Sequence, residues 1–421
     1  MNVTVQQTRD VDREVTAPPS KSYTHRALIA GALGNGKTIV INPLDAEDTR
    51  LTLAALRSLG VQANQEADRI IIEGCDGHLP TVRETTINLD NSGTSLRLLT
   101  SLALLCRHPV TLTGSARMQE RPIGPLASAL PAIGGTVEFL KKEGYPPLRV
   151  SGHLTGGQVT IDGSISSQFI SSILIAAPYA DSEIEVRIPA PPASASYIDI
   201  TLDVMSTFGA SVDRTGYERF AVSPQHHYKG RKYAVEGDYS SASYFFALAA
   251  LCGGKVTVNN LAPTSVHGDR RFLDALKAMG CTVTWGAHAV TVENSGELRG
   301  IEFDMSTSPD TVQTLCMVAT VATTPTTITG ISHLKFKESD RINGTADRLR
   351  ALGSDVTVGD DRITIQPAHL HGGTIDPAND HRTAMSFAIL GCGIGGLTLQ
   401  NAECVNKSFP SFWEQLAGVL P

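Results

Sequence analysis

The chain has 421 residues, 41% hydrophobic and 18% charged, which fits a globular protein of two or three domains and excludes a disordered or fibrous one. Its net charge of −7 argues against non-specific nucleic-acid binding. No apolar run of roughly 18 residues occurs and no basic start precedes an apolar block, so neither a membrane span nor a secretory leader is expected.

In chain order, the first strong element begins at Ser22, where SYTHRALIAGALGNGKTIVINP reads as a helix, a glycine turn and a β-branched strand. Its Gly31–Thr38 portion, GALGNGKT, is a literal P-loop pattern. That pattern binds phosphates only when a strand precedes it and a helix follows. Here the order is reversed, so Lys37 is read as a surface turn residue.

The same layout returns five times. TSLRLLTSLALLCRHPVTLTG starts at Thr94, SQFISSILIAAPYADSEIEVRIP at Ser167 and SASYFFALAALCGGKVTVNNL at Ser241. DTVQTLCMVATVATTPTTITGI starts at Asp310 and DHRTAMSFAILGCGIGGLTLQNA at Asp380. The copies lie about 70–75 residues apart, too long for a solenoid repeat. Between them runs a second pattern: LRSLGVQA, LPAIGGTV, MSTFGASV, LKAMGCTV and LRALGSDV. Each reads as a helix end, a glycine just past it and a strand. A sixth helix, SFWEQLAGVLP, has no strand after it; NVTVQQ at the N-terminus supplies one. Six helix–strand–helix–strand units imply two domains of three units.

The seven cysteines are scattered and form no CxxC pair, which points to a reduced cytoplasmic compartment. The histidines lack ligand spacing, so no metal is expected, and His226-His227 reads as a solvated loop.

Helix starts carry unpaired N–H groups and partial positive charge, so they suit anions. The six repeat openings hold Lys21, Ser22 and Arg26; Asn91, Gly93, Thr94 and Arg97; Ser166, Ser167 and Gln168; Asp238, Ser240 and Ser241; Asp310; and His381 with Arg382. Arg121 precedes a proline in QERPIGPL. Lys335, Lys337, Glu338, Asp340 and Arg341 crowd KFKESDRI, and Lys407 stands before the last helix. Arginine forks suit phosphate and carboxylate oxygens, hydroxyls suit sugar-like oxygens, and carboxylates beside cations can move protons. The residues therefore describe an enzyme acting on small polyanionic metabolites.

With PPSKSYTHRAL, NSGTSLRLL, ERPIGPL, DGSISSQFISS, YIDIT, EGDYSSASYF, GDRRFLDALKAMG, KESDRI, NDHRTAMSFA and KSFPSFWEQL, the chain resembles the enolpyruvyl transferases nearly end to end. The resemblance implies an α+β, two-domain inside-out barrel of three βαβαββ units per domain. One domain would comprise residues 1–18 plus 237–421 and the other 19–236, with a double crossover near 18–20 and 236–239.

It also implies transfer of the enolpyruvyl group of phosphoenolpyruvate to the 5-hydroxyl of shikimate 3-phosphate, through a tetrahedral intermediate and with phosphate as leaving group. On the shikimate-phosphate side it places Lys21, Ser22, Arg26, Ser166, Ser167, Gln168, Tyr197, Asp310, His333 and Lys337. Around phosphoenolpyruvate it places Lys21, Asn91, Gly93, Arg121, Gln168, Arg341, His381, Arg382 and Lys407. Lys21, Asp310 and Glu338 would move protons: Asp310 near the hydroxyl, Glu338 near C3, Lys21 assisting. It implies no cofactor, no nucleic-acid or membrane partner, a cytoplasmic monomer, and inhibition by glyphosate because Gly93 leaves room.

Two positions depart from the family pattern: Leu98 stands where many members have proline, and His333 where a common form has asparagine. The sister enzyme that uses UDP-N-acetylglucosamine carries a loop cysteine before its Arg-Pro pair; GSARMQERPIG has none.

Overall fold

The computed structural model describes residues 1–420. The chain forms two compact units, Pro19–Val235 and Met1–Pro18 joined with the chain from Glu236 onward. The backbone passes between them twice, after Pro18 and after Val235.

The Pro19–Val235 unit holds α1 (Lys21–Leu33), α2 (Glu47–Ser58), α3 (Gly93–Leu102), α4 (Gly124–Ala129), α5 (Ser167–Ala176) and α6 (Ser196–Thr207). The other holds α7 (Tyr239–Cys252), α8 (Arg271–Met279), α9 (Val312–Ala319), α10 (Asn343–Ala351), α11 (His381–Ile394) and α12 (Phe412–Val419). The six repeat openings are the starts of α1, α3, α5, α7, α9 and α11.

These six helices have no exposed face. Every residue of α1 and α9 is buried, and α7 leaves only Leu251 partly exposed. A helix buried on all sides belongs to an interior, where its polar side chains must find partners. In the Pro19–Val235 unit α1 packs on α2, α2 on α3, α3 on α5, α5 on α6 and α6 back on α1. In the other unit α7, α9 and α11 pack on one another. Strands such as Arg69–Glu73 alternate buried and exposed side chains, giving one face to the helices and one to water. Each unit has its own hydrophobic core.

The sheets follow from chain order. Thr85–Asn88 runs parallel to Val110–Thr113, because α3 crosses between them. Val110–Thr113 then pairs antiparallel with Leu148–Gly152, which pairs antiparallel with Gly135–Phe139. Gly157–Thr160 and Ile184–Arg187 repeat this around α5. The third sheet of this unit borrows Lys232–Ala234 from its far end, set parallel to Lys37–Ile41.

Borrowing recurs in the other unit. Val11–Thr16 runs parallel to Gly254–Asn259, and Glu302–Asp304 parallel to Thr326–Thr329. Gly373–Ile375 runs parallel to Leu397–Leu399, and the N-terminal Val3–Thr4 pairs antiparallel with Leu397–Leu399. NVTVQQ thus supplies the strand that the last helix lacks. Among the described residues this sheet has three strands where the other five have four, so the sixth unit departs from the βαβαββ plan.

All five glycines of the second pattern, at 60, 134, 209, 280 and 353, have positive φ. They end helices in a conformation a side chain disfavours. The Gly31–Thr38 stretch is a helix end followed by the strand Lys37–Ile41, and Lys37 is exposed and paired with Glu73 at 3.2 Å. The phosphate-loop geometry is therefore absent there. The seven cysteines are all free. His226 and His227 are both exposed loop residues, as expected; His227 Nδ1 also lies 3.2 Å from Asp76 and its ring 4.5 Å from that of Tyr179.

Candidate active site

In the Pro19–Val235 unit the candidate residues cluster at the starts of α1, α3 and α5. Ser20 and Ser92, the residues that cap α1 and α3, make no side-chain capping bond, whereas Ser166 Oγ accepts from Gln168 N at 3.2 Å. Lys21 is buried, with Nζ 3.1 Å from Asp48 Oδ2. Ser22, Ser166 and Ser167 are buried beside these starts.

Arg26 is buried and braces α1 to α6. Its Nε donates to Thr201 Oγ1 at 2.8 Å, Nη1 to Ser22 O at 3.0 Å and Nη2 to Tyr197 O at 3.1 Å. Burial brings its guanidinium down to about 10, so it stays cationic at neutral pH. Tyr197, half-buried, thus holds Arg26 through its backbone.

Arg97 Nη1 donates to Gln168 Oε1 at 2.8 Å, and Gln168 Nε2 donates to Thr94 Oγ1 at 3.0 Å, joining α3 to α5. Arg121 Nη1 donates to Asn91 O at 3.1 Å. Its guanidinium lies against Gly93, where a Cβ would come within 2.5 Å of Arg121 Nη2.

In the other unit a buried guanidinium organises the site. Arg341 donates from Nη1 to Asp310 at 2.9 Å, from Nη2 to Glu338 at 2.8 Å and from Nε to Asp380 at 2.8 Å. Arg382 Nη2 donates to the second oxygen of Asp310 at 2.7 Å. Burial works to depress Arg341, but Asp380, Glu338 and Asp310 outweigh it and hold the guanidinium well above its ordinary value. Asp380 is held below the usual carboxylate range: burial pushes it up, and Arg341 followed by His381 pulls it further down.

His333 is buried and driven down to about 3, first by burial and then by Lys337, so it is neutral at physiological pH. His381 is fully buried at the start of α11, and Lys407 is buried at the end of the 3-10 turn Ala402–Lys407. KESDR forms no helix. It is a loop in which Asp340 Oδ1 accepts from Ile342 N and Asn343 N at the entry to α10.

Sequence reasoning missed three acids. Asp48 fixes Lys21, and Asp380 caps α11 through Arg382 N at 3.0 Å while also gripping Arg341. The cap was readable from Asp380 standing just before a helical pattern; the grip on Arg341 was not. A third, Asp269, is buried and accepts from Ser240 and Ser308, with its carboxyl pushed up by burial.

Chemically, these groups offer cations and helix starts for anionic oxygens, and carboxylates beside arginines for proton movement. No group of side chains suited to a metal ion occurs among the described residues.

The EPSP synthase (3-phosphoshikimate 1-carboxyvinyltransferase) family model matches residues 5–416. The chain is 63% identical to a 3-phosphoshikimate 1-carboxyvinyltransferase of Methanoregula boonei, covering 100% of both chains. It is 41% identical to one of Salmonella arizonae, covering 99% of both. Among solved structures it is similar to an EPSP synthase from Acinetobacter baumannii, with TM-score 0.83 and 28% identity over 99% of this chain and 98% of that one.

Proposed function

The chain belongs to the EPSP synthase family, and we infer that it transfers the enolpyruvyl group of phosphoenolpyruvate to the 5-hydroxyl of shikimate 3-phosphate. The products are 5-enolpyruvylshikimate 3-phosphate and phosphate, a step of the shikimate pathway to aromatic amino acids. One observation carries this reading: 63% identity to a protein of that name along the whole chain.

In the reaction the 5-hydroxyl oxygen adds to C2 of phosphoenolpyruvate as C3 takes a proton. The tetrahedral intermediate then loses phosphate while C3 gives up a proton, so no cofactor is consumed. We assign shikimate 3-phosphate to Lys21, Ser22, Ser166, Ser167, Gln168, Tyr197, Asp310, His333 and Lys337. Arg26 joins them with the part of its fork not spent on Thr201, Ser22 O and Tyr197 O. Phosphoenolpyruvate is assigned to Lys21, Asn91, Gly93, Arg121, Gln168, Arg341, His381, Arg382 and Lys407. Two anions repel, so cations at these positions lower the cost of bringing them together and stabilise charge developing in the intermediate. Asp310 receives the hydroxyl proton, Glu338 serves C3 and Lys21 assists. The pairing of both acids with Arg341 supports this assignment, because it fixes the carboxylates beside cations.

No described helix is long and apolar enough to cross a membrane. A cytoplasmic monomer with small-molecule substrates completes the reading. The test is phosphate release from phosphoenolpyruvate, measured with shikimate 3-phosphate and separately with UDP-N-acetylglucosamine. Turnover with the first alone supports it; turnover with the second, or with neither, refutes it.

A further inference from the structure

Beneath Lys21 and Gly93, a chain of buried polar side chains crosses α1, α2 and α3. His25 Nδ1 lies 2.7 Å from Thr52 Oγ1, and Thr52 Oγ1 lies 2.7 Å from Ser95 Oγ. Ser92 Oγ is 2.6 Å from Ser95 Oγ, which in turn lies 3.2 Å from the backbone carbonyl of Asp48. All four side chains are at 0% exposure, so water does not complete these bonds for them.

The contacts fix the proton directions. A carbonyl only accepts, so the one hydroxyl proton of Ser95 goes to Asp48 O. Ser95 Oγ must then accept from both Thr52 and Ser92. Thr52 has given its proton to Ser95, so it accepts from His25. One assignment satisfies every contact, and it requires a proton on His25 Nδ1.

The chain forks at Ser95, and both branches reach groups assigned to phosphoenolpyruvate. Asp48, whose carbonyl ends one branch, holds Lys21 Nζ with its carboxylate at 3.1 Å. Ser92 directly precedes Gly93, which lies against the Arg121 guanidinium. None of the four polar side chains is itself among the residues assigned to substrate.

We propose that the His25–Thr52–Ser95–Ser92 chain sets Lys21 and Gly93 relative to each other, making Thr52 and Ser95 positioning residues for phosphoenolpyruvate. The kinetic side of this rests on the functional reading above. The chain joins three helices at a fixed spacing, and misplacing a binding group by a fraction of an ångström weakens a site without unfolding it.

Two measurements test it. In protein labelled with ¹⁵N-histidine, NMR reads the His25 tautomer directly, independent of any activity. The expected state is Nδ1–H at neutral pH; the Nε2–H tautomer would overturn the chain. Kinetically, Ser95→Ala and Thr52→Val are expected to raise the KM for phosphoenolpyruvate about tenfold, the worth of about one hydrogen bond. The KM for shikimate 3-phosphate, which is assigned Lys21 but not Gly93, should rise less, by no more than about threefold, and Thr52→Ser, which keeps the hydroxyl, should hold both values near wild type. If both KM values rise by the same factor, or only the melting temperature falls, the positioning role is refuted. Should Ser95→Ala not fold, the comparison of Thr52→Val with Thr52→Ser decides alone. A wild-type protein inactive on these substrates would refute the functional reading, and the His25 tautomer would still decide the chain.

Discussion

Asp310 accepts from Arg341 at 2.9 Å on one oxygen while its other oxygen accepts from Arg382 at 2.7 Å. The carboxylate assigned to the substrate hydroxyl therefore bridges two cations assigned to phosphoenolpyruvate. Protein acids occupy positions around these guanidiniums that phosphate and carboxylate oxygens of a ligand would also seek. The acids orient the forks, and the same contacts keep the acids in place.

Replacing Asp310 with asparagine keeps the shape and one oxygen that accepts from an arginine, but turns an amide donor toward the other guanidinium and removes the carboxylate that takes the proton. Asp310→Asn should keep the fold by circular dichroism. Its kcat should fall about 10²–10⁴-fold, the range for loss of a positioned acid–base group. A kcat within tenfold of wild type in the phosphate-release assay would place the proton transfer elsewhere.

Gly93→Ala tests the other end of the phosphoenolpyruvate assignment. The new Cβ would come within 2.5 Å of Arg121 Nη2 and 2.7 Å of Arg121 Cζ, so the guanidinium must move. The obstacle is the far end of a flexible side chain, which makes folding the easier demand and binding the harder one. The expected result is a KM for phosphoenolpyruvate raised about 10–100-fold, matching a charge-assisted hydrogen bond of about 1.5–3 kcal/mol. Wild type should be inhibited by glyphosate and the variant less so. Equal inhibition curves for the two proteins would remove Gly93 from the pocket.

How much of this was legible in the sequence depended on the kind of signal. The repeat openings and the glycines past helix ends could be read because each is local: a polar start, an apolar run, a residue tolerant of positive φ. The borrowed strand Val3–Thr4 could be read because the last helix lacked one. Asp48 and Asp380 could not, because an acid at a helix start looks like a cap or a solvated charge, and only packing decides that it is buried against Lys21 or Arg341. Arg26 shows the same limit. Its bond to Thr201 spans 175 positions, and no local pattern shows that most of its fork braces α6.

Asp380 predicts an acid-sensitive contribution to stability. Its folded value lies below the ordinary carboxylate value of about 3.9, so the stabilisation is present above that pH and is lost as pH falls through the folded value. Asp380→Asn retains an N-cap residue but removes one charge from Arg341. It should cost about 3–5 kcal/mol at pH 7, the range for breaking a buried pair, and progressively less in acid. Urea unfolding at pH 7 and near pH 3 measures this. A loss under about 1 kcal/mol at pH 7 would mean that Asp310 and Glu338 suffice for Arg341.

His333 gives a pH dependence over a different range. In the folded protein it titrates at about 3, because burial first and Lys337 second disfavour the cation. In the unfolded chain it titrates near about 6.5. Its contribution to stability is therefore full above about 6.5 and declines as pH falls toward the folded value, by about 1.4 kcal/mol per pH unit, since the unfolded state binds a proton that the folded state refuses. His333→Asn cannot take up that proton, yet it keeps a hydrogen-bond donor and matches the form common in the family. The variant should lose activity by no more than a few-fold, and its unfolding free energy should fall less steeply than wild type between pH 6.5 and 4.5. Taking the difference between the two proteins cancels the carboxylates that titrate in both. Parallel slopes in urea titrations at pH 6.5, 5.5 and 4.5 would show that the imidazole gains its proton without cost, and would contradict its enclosure beside Lys337.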